Sequence, residues 1–198
     1  LIWGIMALGV YITYRILDFP DLTVDGSLAT GAATAVMLIQ GGMHPALSLV
    51  FALLAGMAAG FVTGILHTAL GIPGILASIL TQVSLYSVNL VIMGKSNQGI
   101  SLTQQGLVAS SRYVTADDSV FFFLKLILAC LVLVAVVYWF FGTEMGASIR
   151  ATGCNPQMAR AQGINTDYAK VLALMISNGL VGLCGGVLAQ YQGAADVN

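Results

Sequence analysis

Charged side chains are scarce in this chain. Only 8 acidic and 7 basic residues occur among 198, so 8% of the sequence is charged, whereas 58% is hydrophobic. Soluble globular domains carry about 25% charged residues, and the mean hydropathy here is +0.92. These values exclude an ordinary soluble domain and indicate an integral membrane protein, for which no nucleic-acid partner is expected.

The sequence also lacks the residue groupings that hold metals or nucleotides. The three cysteines and two histidines lie apart, at Cys130, Cys154, Cys184, His44 and His67. No HExxH or CxxC motif occurs, and no Gly-Lys-Ser/Thr motif follows a glycine-rich stretch. Zinc sites and phosphate-binding loops require such groupings. We therefore expect no metal site, no nucleotide or other cofactor bound by this chain, and no enzymatic activity.

Long apolar runs dominate what is present. Their apolar residues are continuous rather than alternating, which is typical of membrane helices and not of barrel strands. The runs are Leu1–Leu17, Ser27–Ile39, Pro45–Leu66, Ile72–Met93, Val120–Phe141 and Val171–Ala189. The pattern predicts an all-α membrane protein, a polytopic helical bundle with about six membrane segments that forms a single transmembrane domain over residues 1–198.

The second run is short and follows a group of carboxylates. Ser27–Ile39 has about 13 residues, which at 1.5 Å each reach about 20 Å of a core about 30 Å thick. We expect this segment to be tilted, broken or re-entrant. Asp18, Asp21 and Asp25 precede it. They form either a solvated interfacial loop or a broken-helix region that lines a watery cavity, where carboxylates could meet the ammonium group of an amino-acid-like ligand.

Polar residues within the apolar runs are further candidates for a solute pathway. Gln82 and Asn89 are seven positions apart and therefore share a helix face, and Asn178 lies in the last run. The alternative is interhelical hydrogen bonding, in which each contact contributes about 1 kcal/mol. The predicted pathway residues are Asp18, Asp21, Asp25, Gln82, Asn89 and Asn178.

Glycines recur at every fourth position in two of the runs. Gly56, Gly60 and Gly64 form one row, and Gly182 and Gly186 repeat the spacing in the last run. Small residues at this spacing allow helix backbones to approach closely. We interpret both rows as packing surfaces within the chain, with packing against a second copy as the alternative.

A polar island, Gly142–Asp167, separates the last two apolar runs. It is predicted to form two short helices, the first over Glu144–Thr152 and ended by Gly153. The second helix has residues typical of helix ends, namely Asn155 as N-cap, Pro156 at the first position and Gly163 at the C-terminus.

The first short helix could present an apolar surface with a cationic rim. Met145 and Ile149 stand one turn apart, as do Arg150 and Cys154. From the residues alone, the island is either a docking surface for a partner or an amphipathic linker on lipid headgroups.

A cytoplasmic island would place the basic residues unequally across the membrane. With strict alternation of spans, Gly94–Ser119 lies outside. The cytoplasmic side then carries Arg15, Arg150, Arg160 and Lys170, against Lys95 and Arg112 outside. The excess favours this orientation only weakly.

The run IRATGCNPQMARAQGIN, residues 149–165, resembles the cytoplasmic coupling loop of ABC importer permeases in the family that includes the branched-chain amino acid and ribose permeases. Its pattern is Arg-Ala-x-Gly-x-Asn-Pro followed by Ala-Arg-x-x-Gly-Ile. The matching residues are Arg150, Ala151, Gly153, Asn155, Pro156, Ala159, Arg160, Gly163 and Ile164. ILDFPDLTVDGS and LYSVNLVIMGKSN resemble a branch associated with amino-acid uptake, and the likeness covers nearly the whole chain.

The resemblance implies that residues 142–167 form a cytoplasmic coupling loop that docks into a groove on an ATP-binding subunit. The residues expected to take part are Met145, Ile149, Arg150, Gly153, Asn155, Pro156, Met158, Arg160 and Gly163. Further implied partners are an extracellular or periplasmic substrate-binding protein and a second permease copy. ATP would bind to the partner subunit. The family's chains are longer, so we expect this one to be a fragment truncated at both ends.

The expected function is therefore that of a permease subunit in the bacterial plasma (inner) membrane, spanning it several times and moving a small solute, expected to be an amino acid, inward. Two alternatives remain at this stage. One is an ATP-independent secondary transporter or channel, which would also show polar residues in its spans. The other is a purely structural membrane subunit, which would have no use for a coupling loop.

Overall fold

The computed structural model describes residues 1–100 and 116–196, with only the backbone for residues 116–123 and 125. The chain is almost entirely helical, as predicted. Its helices are α1 (Ile2–Tyr11) with a π-helical turn (Ile12–Ile16), α2 (Thr23–Gln40), α3 (Pro45–Thr68), α4 (Gly74–Met93), α5 (Ala116–Phe141), α6 (Glu144–Cys154), α7 (Pro156–Ala161) and α8 (Thr166–Gln192). Two three-residue strands, β1 (Asn97–Gly99) and β2 (Ala194–Asp196), pair in antiparallel register.

Contacts with α8 fix the directions of the long helices. α1 and α3 are antiparallel to α8, whereas α2 is parallel to it. The contacting pairs are Ile2 with Cys184 and Gly9 with Ser177 for α1, Ser27 with Asn178 and Gly31 with Gly182 for α2, and Pro45 with Gln190 and Gly60 with Leu174 for α3. α4 runs parallel to α2 and α5 parallel to α1. The six long helices of the described residues therefore alternate in direction.

The two ends of the bundle carry different elements, the short helices α6 and α7 at one end and the pair of short strands at the other. At the end called here the α6–α7 end, Gly153 of α6 contacts the backbone of Ile16, and the rings of Phe19 and His67 lie 5.1 Å apart. At the opposite, strand end, Gln40 Nε2 donates a hydrogen bond of 2.7 Å to the Gly99 carbonyl. The turn after α3 thus shares the island's end, and β1 lies at the other.

Several of these helices fit a bilayer. Within the described residues, α3, α4 and α8 are each long and apolar enough to cross a membrane, and α5 gives a fourth span when counted with α6, which is bent from it by 77°. The segment from Ile2 to Ile16 is apolar but shorter. The predicted multi-pass architecture is confirmed.

Helix α2 corrects the prediction of a short or broken second segment. It is one continuous helix of 18 residues, Thr23–Gln40, about 27 Å long at 1.5 Å per residue. The first turn of α2 contains the polar residues Thr23 and Asp25. A prediction based on apolar runs therefore placed the start of this segment too late. α2 runs alongside α8 from Ser27, which contacts Asn178, to Gly31, which contacts Gly182, and it ends at the strand end with Gln40. It therefore crosses the bundle from one end to the other and does not turn back within it.

The loop predicted over Gly94–Ser119 is shorter at both ends than expected. β1 occupies Asn97–Gly99 and α5 already begins at Ala116. Residues 101–115, which include Arg112, lie outside the described part of the chain.

The glycine rows pack within the chain, as predicted. A Cβ atom at Gly56 or Gly60 would meet the carbonyl oxygen of Asn178 or Leu174, and one at Gly182 would lie 2.6 Å from the Ala52 carbonyl oxygen. These distances leave no room for a side chain, because van der Waals contact begins well beyond them. α3 and α8 therefore touch backbone to backbone along most of their length.

Candidate functional site: an internal cavity and a docking surface

A cavity of about 620 Å³ lies between α1, α2, α4 and α8 and is bounded at the strand end by β2. It is open on one side, where Trp3, Asp25 and Tyr86 are exposed. We call it the α2–α4 cavity. Its polar and aromatic lining residues are Trp3, Asp25, Gln82, Tyr86, Asn89 and Asp196. The structure thus brings three of the six predicted pathway residues, Asp25, Gln82 and Asn89, to one cavity.

Close packing of α2 on α4 sets the positions of these side chains. A Cβ atom at Gly26 would lie 3.2 Å from the Gln82 Cα atom, so the two backbones meet there. Asp25 and Gln82 therefore flank the same contact. Asn89 lies two helical turns farther along α4, about 10 Å toward the strand end. The shared face inferred from the seven-residue spacing of Gln82 and Asn89 is confirmed.

Three polar side chains of the cavity, those of Asp25, Gln82 and Asn89, have no partners within the described part of the chain. Asn89 is fully buried, and neither its Nδ2 nor its Oδ1 atom forms a hydrogen bond. Asp25 and Gln82 make no side-chain hydrogen bond or ion pair there either. An unpaired buried amide costs about 1–3 kcal/mol. Both polar atoms of the Asn89 side chain are therefore buried without a hydrogen bond to the described part of the chain.

Asp21 and Asn178 lie apart from this cavity and bind one another. Asn178 Nδ2 donates to Asp21 Oδ2 at 2.7 Å and to the Leu174 carbonyl at 3.1 Å, while its Oδ1 accepts from Ser27 Oγ at 2.8 Å. Every polar atom of the buried Asn178 side chain is thus paired. This group, Asp21, Ser27 and Asn178, ties α2 and the segment before it to α8.

Asp18 is exposed and does not line the cavity. Its backbone has φ of 53°, an unusual value for a residue other than glycine. It lies in the reversal between α1 and α2. The solvated-loop interpretation of the three aspartates therefore fits Asp18, and the cavity interpretation fits Asp25.

Two aromatic residues of the cavity escaped the sequence-based prediction. Tyr86 lies between Gln82 and Asn89 on the same face of α4, at positions i+4 and i−3, so helical periodicity could have found it. Trp3 comes from α1, and no local pattern links it to α4.

The island folds as two short capped helices, largely as predicted. Asn155 Oδ1 accepts from the backbone N–H groups of Gln157 and Met158, each at 3.1 Å, and Pro156 occupies the first turn of α7. Gly163 has φ of 82°. The predicted end at Gly153 is wrong, because α6 continues to Cys154. Gly153 allows the backbone of α6 to approach Ile16 closely and does not end the helix.

Four of the exposed residues of the island combine apolar side chains, a cation and a thiol. Met145 is 51% exposed and Met158 61% exposed, and Arg150 and Cys154 are also exposed. We call these four residues the docking surface. The predicted pairing of Met145 with Ile149 on this surface is wrong. Ile149 is only 1% exposed, since it packs in a cluster with residues of the α1–α2 reversal.

The island is attached firmly to the bundle. Arg160 Nε donates to Thr166 Oγ1 at 2.7 Å, and its Nη2 atom lies 3.2 Å from Asp167 Oδ1. Both contacts join α7 to the start of α8. Together with the packing of Ile149 and Gly153, they connect the docking surface to α1 and α8, both of which border the cavity.

Alternating apolar helices beside a polar cavity, with two short helices fixed at one end, describe a multi-pass membrane protein. A family model described as the permease component of the branched-chain amino acid transport system matches residues 1–198, and the chain belongs to this family. Its members are transport permeases and not enzymes, and they place the chain in the bacterial inner membrane as a multi-pass protein.

Curated relatives agree with this assignment. The chain is 42% identical over 199 residues to a "Tyrosine transport system permease protein" of Clostridioides difficile, covering 100% of this chain and 64% of the relative. It is 33% identical over 177 residues to the "Autoinducer 2 import system permease protein LsrC" of Yersinia pseudotuberculosis, covering 87% of this chain and 48% of the relative. The chain thus spans about half to two thirds of the length of these relatives. No solved structure matches it.

Proposed function

We propose that this chain forms the translocation path of an ATP-binding cassette importer and that its solute is an amino acid. The observation that carries the proposal is the α2–α4 cavity. Asp25, Gln82 and Asn89 line one cavity and have no partners within the described part of the chain, whereas the buried amide of Asn178 is fully paired. An unpaired polar group in a buried position, such as Asn89, is costly, and polar groups at membrane depth commonly mark solute paths.

The docking surface supports the ATP-driven part of the proposal. Met145 and Met158 are apolar and exposed, Arg150 adds a cation, and α6 and α7 are capped and anchored. A short capped helix transmits displacement better than a flexible loop. We propose that a cytoplasmic ATP-binding subunit, which carries the ATP, docks here. A substrate-binding protein at the strand end and a second permease copy complete the proposed assembly.

An amino acid is favoured as the solute by two observations. A relative of high identity is named for tyrosine transport. The cavity also contains a carboxylate, Asp25, that can pair with an ammonium group, and no cationic residue among its described lining residues. The predicted pathway roles of Asp25, Gln82 and Asn89 therefore remain in the proposal, whereas Asp21 and Asn178 are assigned to holding α2 on α8.

The test is cysteine crosslinking in membranes that contain the complete transporter. Cys130, Cys154 and Cys184 are replaced, and one cysteine is introduced at Met158. We expect a crosslink to the ATP-binding subunit whose yield changes with nucleotide. A cysteine at Lys95, which follows α4 at the strand end, is the matched control and should give none.

Solute uptake completes this test. Uptake of labelled amino acid should stop when the ATP-binding subunit is inactivated. Uptake that continues, with no crosslink at position 158, would contradict the proposal and favour an ATP-independent transporter.

A further inference from the structure

His67, in the last turn of α3, contacts the start of α8, the turn before α4 and the reversal between α1 and α2, residues 17–22. Resting on the proposed function, we infer that uncharged His67 is a positioning residue for coupling. Its contact with Lys170 holds the end of α3 to the start of α8, close to α6. Acidification of the cytoplasm releases this contact and uncouples transport from ATP hydrolysis.

Two hydrogen bonds define the protonation state of His67. Its Nδ1 atom lies 2.8 Å from the Ile72 carbonyl oxygen, and its Nε2 atom lies 3.3 Å from Lys170 Nζ. A carbonyl oxygen only accepts, so Nδ1 donates, and a lysine ammonium group only donates, so Nε2 accepts. Both bonds form together in the neutral ring that carries its proton on Nδ1.

A second proton on the ring would break this arrangement. Nε2–H and the ammonium group would both be donors, and two positive charges would lie 3.3 Å apart. Lys170 makes no ion pair with the described residues that could offset the repulsion. Histidine ordinarily gains its charge between about pH 8 and about pH 5. The contact is therefore present at the alkaline end of this range and is lost as the pH falls.

The other titratable groups around His67 are engaged elsewhere, exposed or remote. α3 carries no further titratable residue. On the neighbouring elements, Asp21 binds Asn178, Asp167 pairs with Arg160, Asp18 and Tyr168 are exposed, and Tyr86 lies about three turns along α4. Lys170 is thus the charged residue that bonds to His67 within the described part of the chain.

Phe19 connects this contact to α6. Its ring packs edge-on against the His67 ring, with the centroids 5.1 Å apart, and a Cβ atom at Gly74 would lie 2.5 Å from it. Phe19 also shares a buried cluster with Ile149 of α6 and Leu174 of α8. Release of His67 from Lys170 therefore loosens the packing around the side chain on which α6 rests. Displacement of the docking surface is then passed to the bundle less efficiently.

The first experiment observes the protonation state by NMR. Histidine labelled with ¹⁵N is incorporated into the permease subunit of the complete transporter, with His44→Asn to remove the other histidine of this sequence. Asparagine retains the N-cap of α3 that His44 provides. The His67 signal, assigned by its loss in His67→Gln, should show a neutral ring protonated at Nδ1 at about pH 8. A ring protonated at Nε2, or a charged ring, at that pH would overturn the inference.

The second experiment measures solute taken up per ATP hydrolysed in liposomes that contain the complete transporter, with ATP and a fixed pH inside. Lowering the internal pH from about 8 to about 5 should lower this ratio, by about tenfold per pH unit once His67 is mostly charged. His67→Gln keeps an acceptor for Lys170 and gains no proton, so its ratio should not fall in acid. His44→Asn, at the opposite end of α3, is the matched control and should fall as the native protein does.

Lys170→Glu tests the charge relation. A charged His67 would pair with the new carboxylate, whereas the neutral ring protonated at Nδ1 would not donate to it. The ratio should therefore rise as the internal pH falls. An acid loss that persists in His67→Gln, or the native pH dependence in Lys170→Glu, would overturn the inference.

These results are separable from a failure of the proposed function. The NMR measurement needs no transport, and the crosslink at position 158 is measured at about pH 8, where His67 is neutral in the inferred state. A crosslink that forms while the His67 results fail would therefore remove this inference alone.

Discussion

Asp21 and Asp25 stand four residues apart and have different surroundings. Asp21 Oδ2 accepts a hydrogen bond from Asn178 and Asp21 Oδ1 accepts one from the Thr23 backbone N–H at 2.9 Å. Asp25 opens into the α2–α4 cavity. The difference follows from position, since Asp21 precedes α2 and Asp25 lies in its first turn. Asp21 therefore holds the start of α2 on α8, whereas Asp25 is free of such a contact in the described part of the chain and is the carboxylate that we propose to meet a solute.

Replacing Asn178 should therefore affect stability and leave solute recognition unchanged. Asn178→Ala removes three hydrogen bonds and leaves Ser27 and Asp21 without their interhelical partner. We expect a loss of about 1–3 kcal/mol in the free energy of unfolding. Thermal unfolding of the purified transporter measures it.

Asn89→Ala gives the opposite expectation, because it removes no hydrogen bond of the described residues. Its unfolding temperature should be maintained. If Asn178→Ala lowered solute uptake without lowering the unfolding temperature, its structural role would be refuted.

Local signals in the sequence predicted the short-range features of the fold. The cap at Asn155 and the left-handed glycine at Gly163 depend on neighbouring residues only, so both were found. The burial of Ile149 depends on Leu17 and Phe19, which lie about 130 positions earlier in the chain. Amphipathic spacing within α6 carries no information about such a partner.

The candidate site was predictable in part for the same reason. Gln82 and Asn89 share a face through their spacing along one helix. Asn178 is paired, whereas Asn89 has no partner among the residues that the structure describes. This difference depends on which helix lies opposite each residue, and that is a property of the assembled bundle. The start of α2 was missed because its first turn is polar.

At the scale of elements, the α3–α8 interface depends on glycine. Gly60→Leu would place a side chain against the Leu174 backbone. Overpacking of this kind usually costs about 1–3 kcal/mol, and here the obstacle is a helix backbone that cannot move aside alone. We expect lower thermal stability and a lower yield of folded protein, measured by size-exclusion chromatography in detergent.

Gly4→Ala is the matched control for that substitution. Nothing lies within 4 Å of a Cβ atom at Gly4 in α1, and alanine favours a helix over glycine by about 0.5–1 kcal/mol. Its stability should be equal or slightly higher. A Gly60→Leu protein as stable as Gly4→Ala would show that α3 and α8 do not pack as described.

The joint between α7 and α8 is the element through which displacement of the docking surface would reach the cavity. Arg160→Glu replaces the ion pair with Asp167 by a repulsion. Both side chains are more than half exposed, at 62% and 55%, so the pair contributes at most about 1 kcal/mol to stability. We expect folding to be kept while transport per ATP hydrolysed falls.

Measuring uptake and ATPase activity on the same reconstituted transporter tests this. Asp167→Arg in the Arg160→Glu background restores opposite charges and should recover part of the coupling. Unchanged coupling in the Arg160→Glu single variant would show that the joint does not transmit displacement.

At the scale of the whole molecule, α3 and α4 expose large apolar side chains along their lengths, including Phe51, Phe61, Ile79 and Val83. In water such a surface would be costly, whereas in a bilayer it contacts lipid. Polar and charged groups instead gather at the two ends of the bundle and in the cavity. The described part of the molecule therefore has an apolar belt, with its polar groups at the two ends and in the α2–α4 cavity.

Basic residues are concentrated at the α6–α7 end of the bundle. Arg15, Arg150, Arg160 and Lys170 belong to this end, because Arg15 lies in the π-helical turn beside α6 and Lys170 Nζ lies 3.3 Å from His67 Nε2. Of the other basic residues in the described part of the chain, Lys95 lies at the strand end and Lys125 lies in the half of α5 nearer to that end. Cationic residues favour the cytoplasmic side of a membrane protein. We therefore expect the α6–α7 end to face the cytoplasm.

Labelling of single cysteines in intact cells and in inverted membrane vesicles tests this orientation. Cys154 is native and exposed, and Leu70 is exposed at the same end. A membrane-impermeant maleimide should label Cys154 or Leu70→Cys only in inverted vesicles, and Lys95→Cys only in intact cells. Because all six long helices of the described residues alternate in direction, one orientation fixes every connection between them. If Cys154 were labelled from outside, the orientation of the whole bundle would be the reverse of the one expected, and the docking surface could not meet a cytoplasmic ATPase. If Leu70→Cys and Cys154 were labelled from opposite sides, the fold itself would be contradicted.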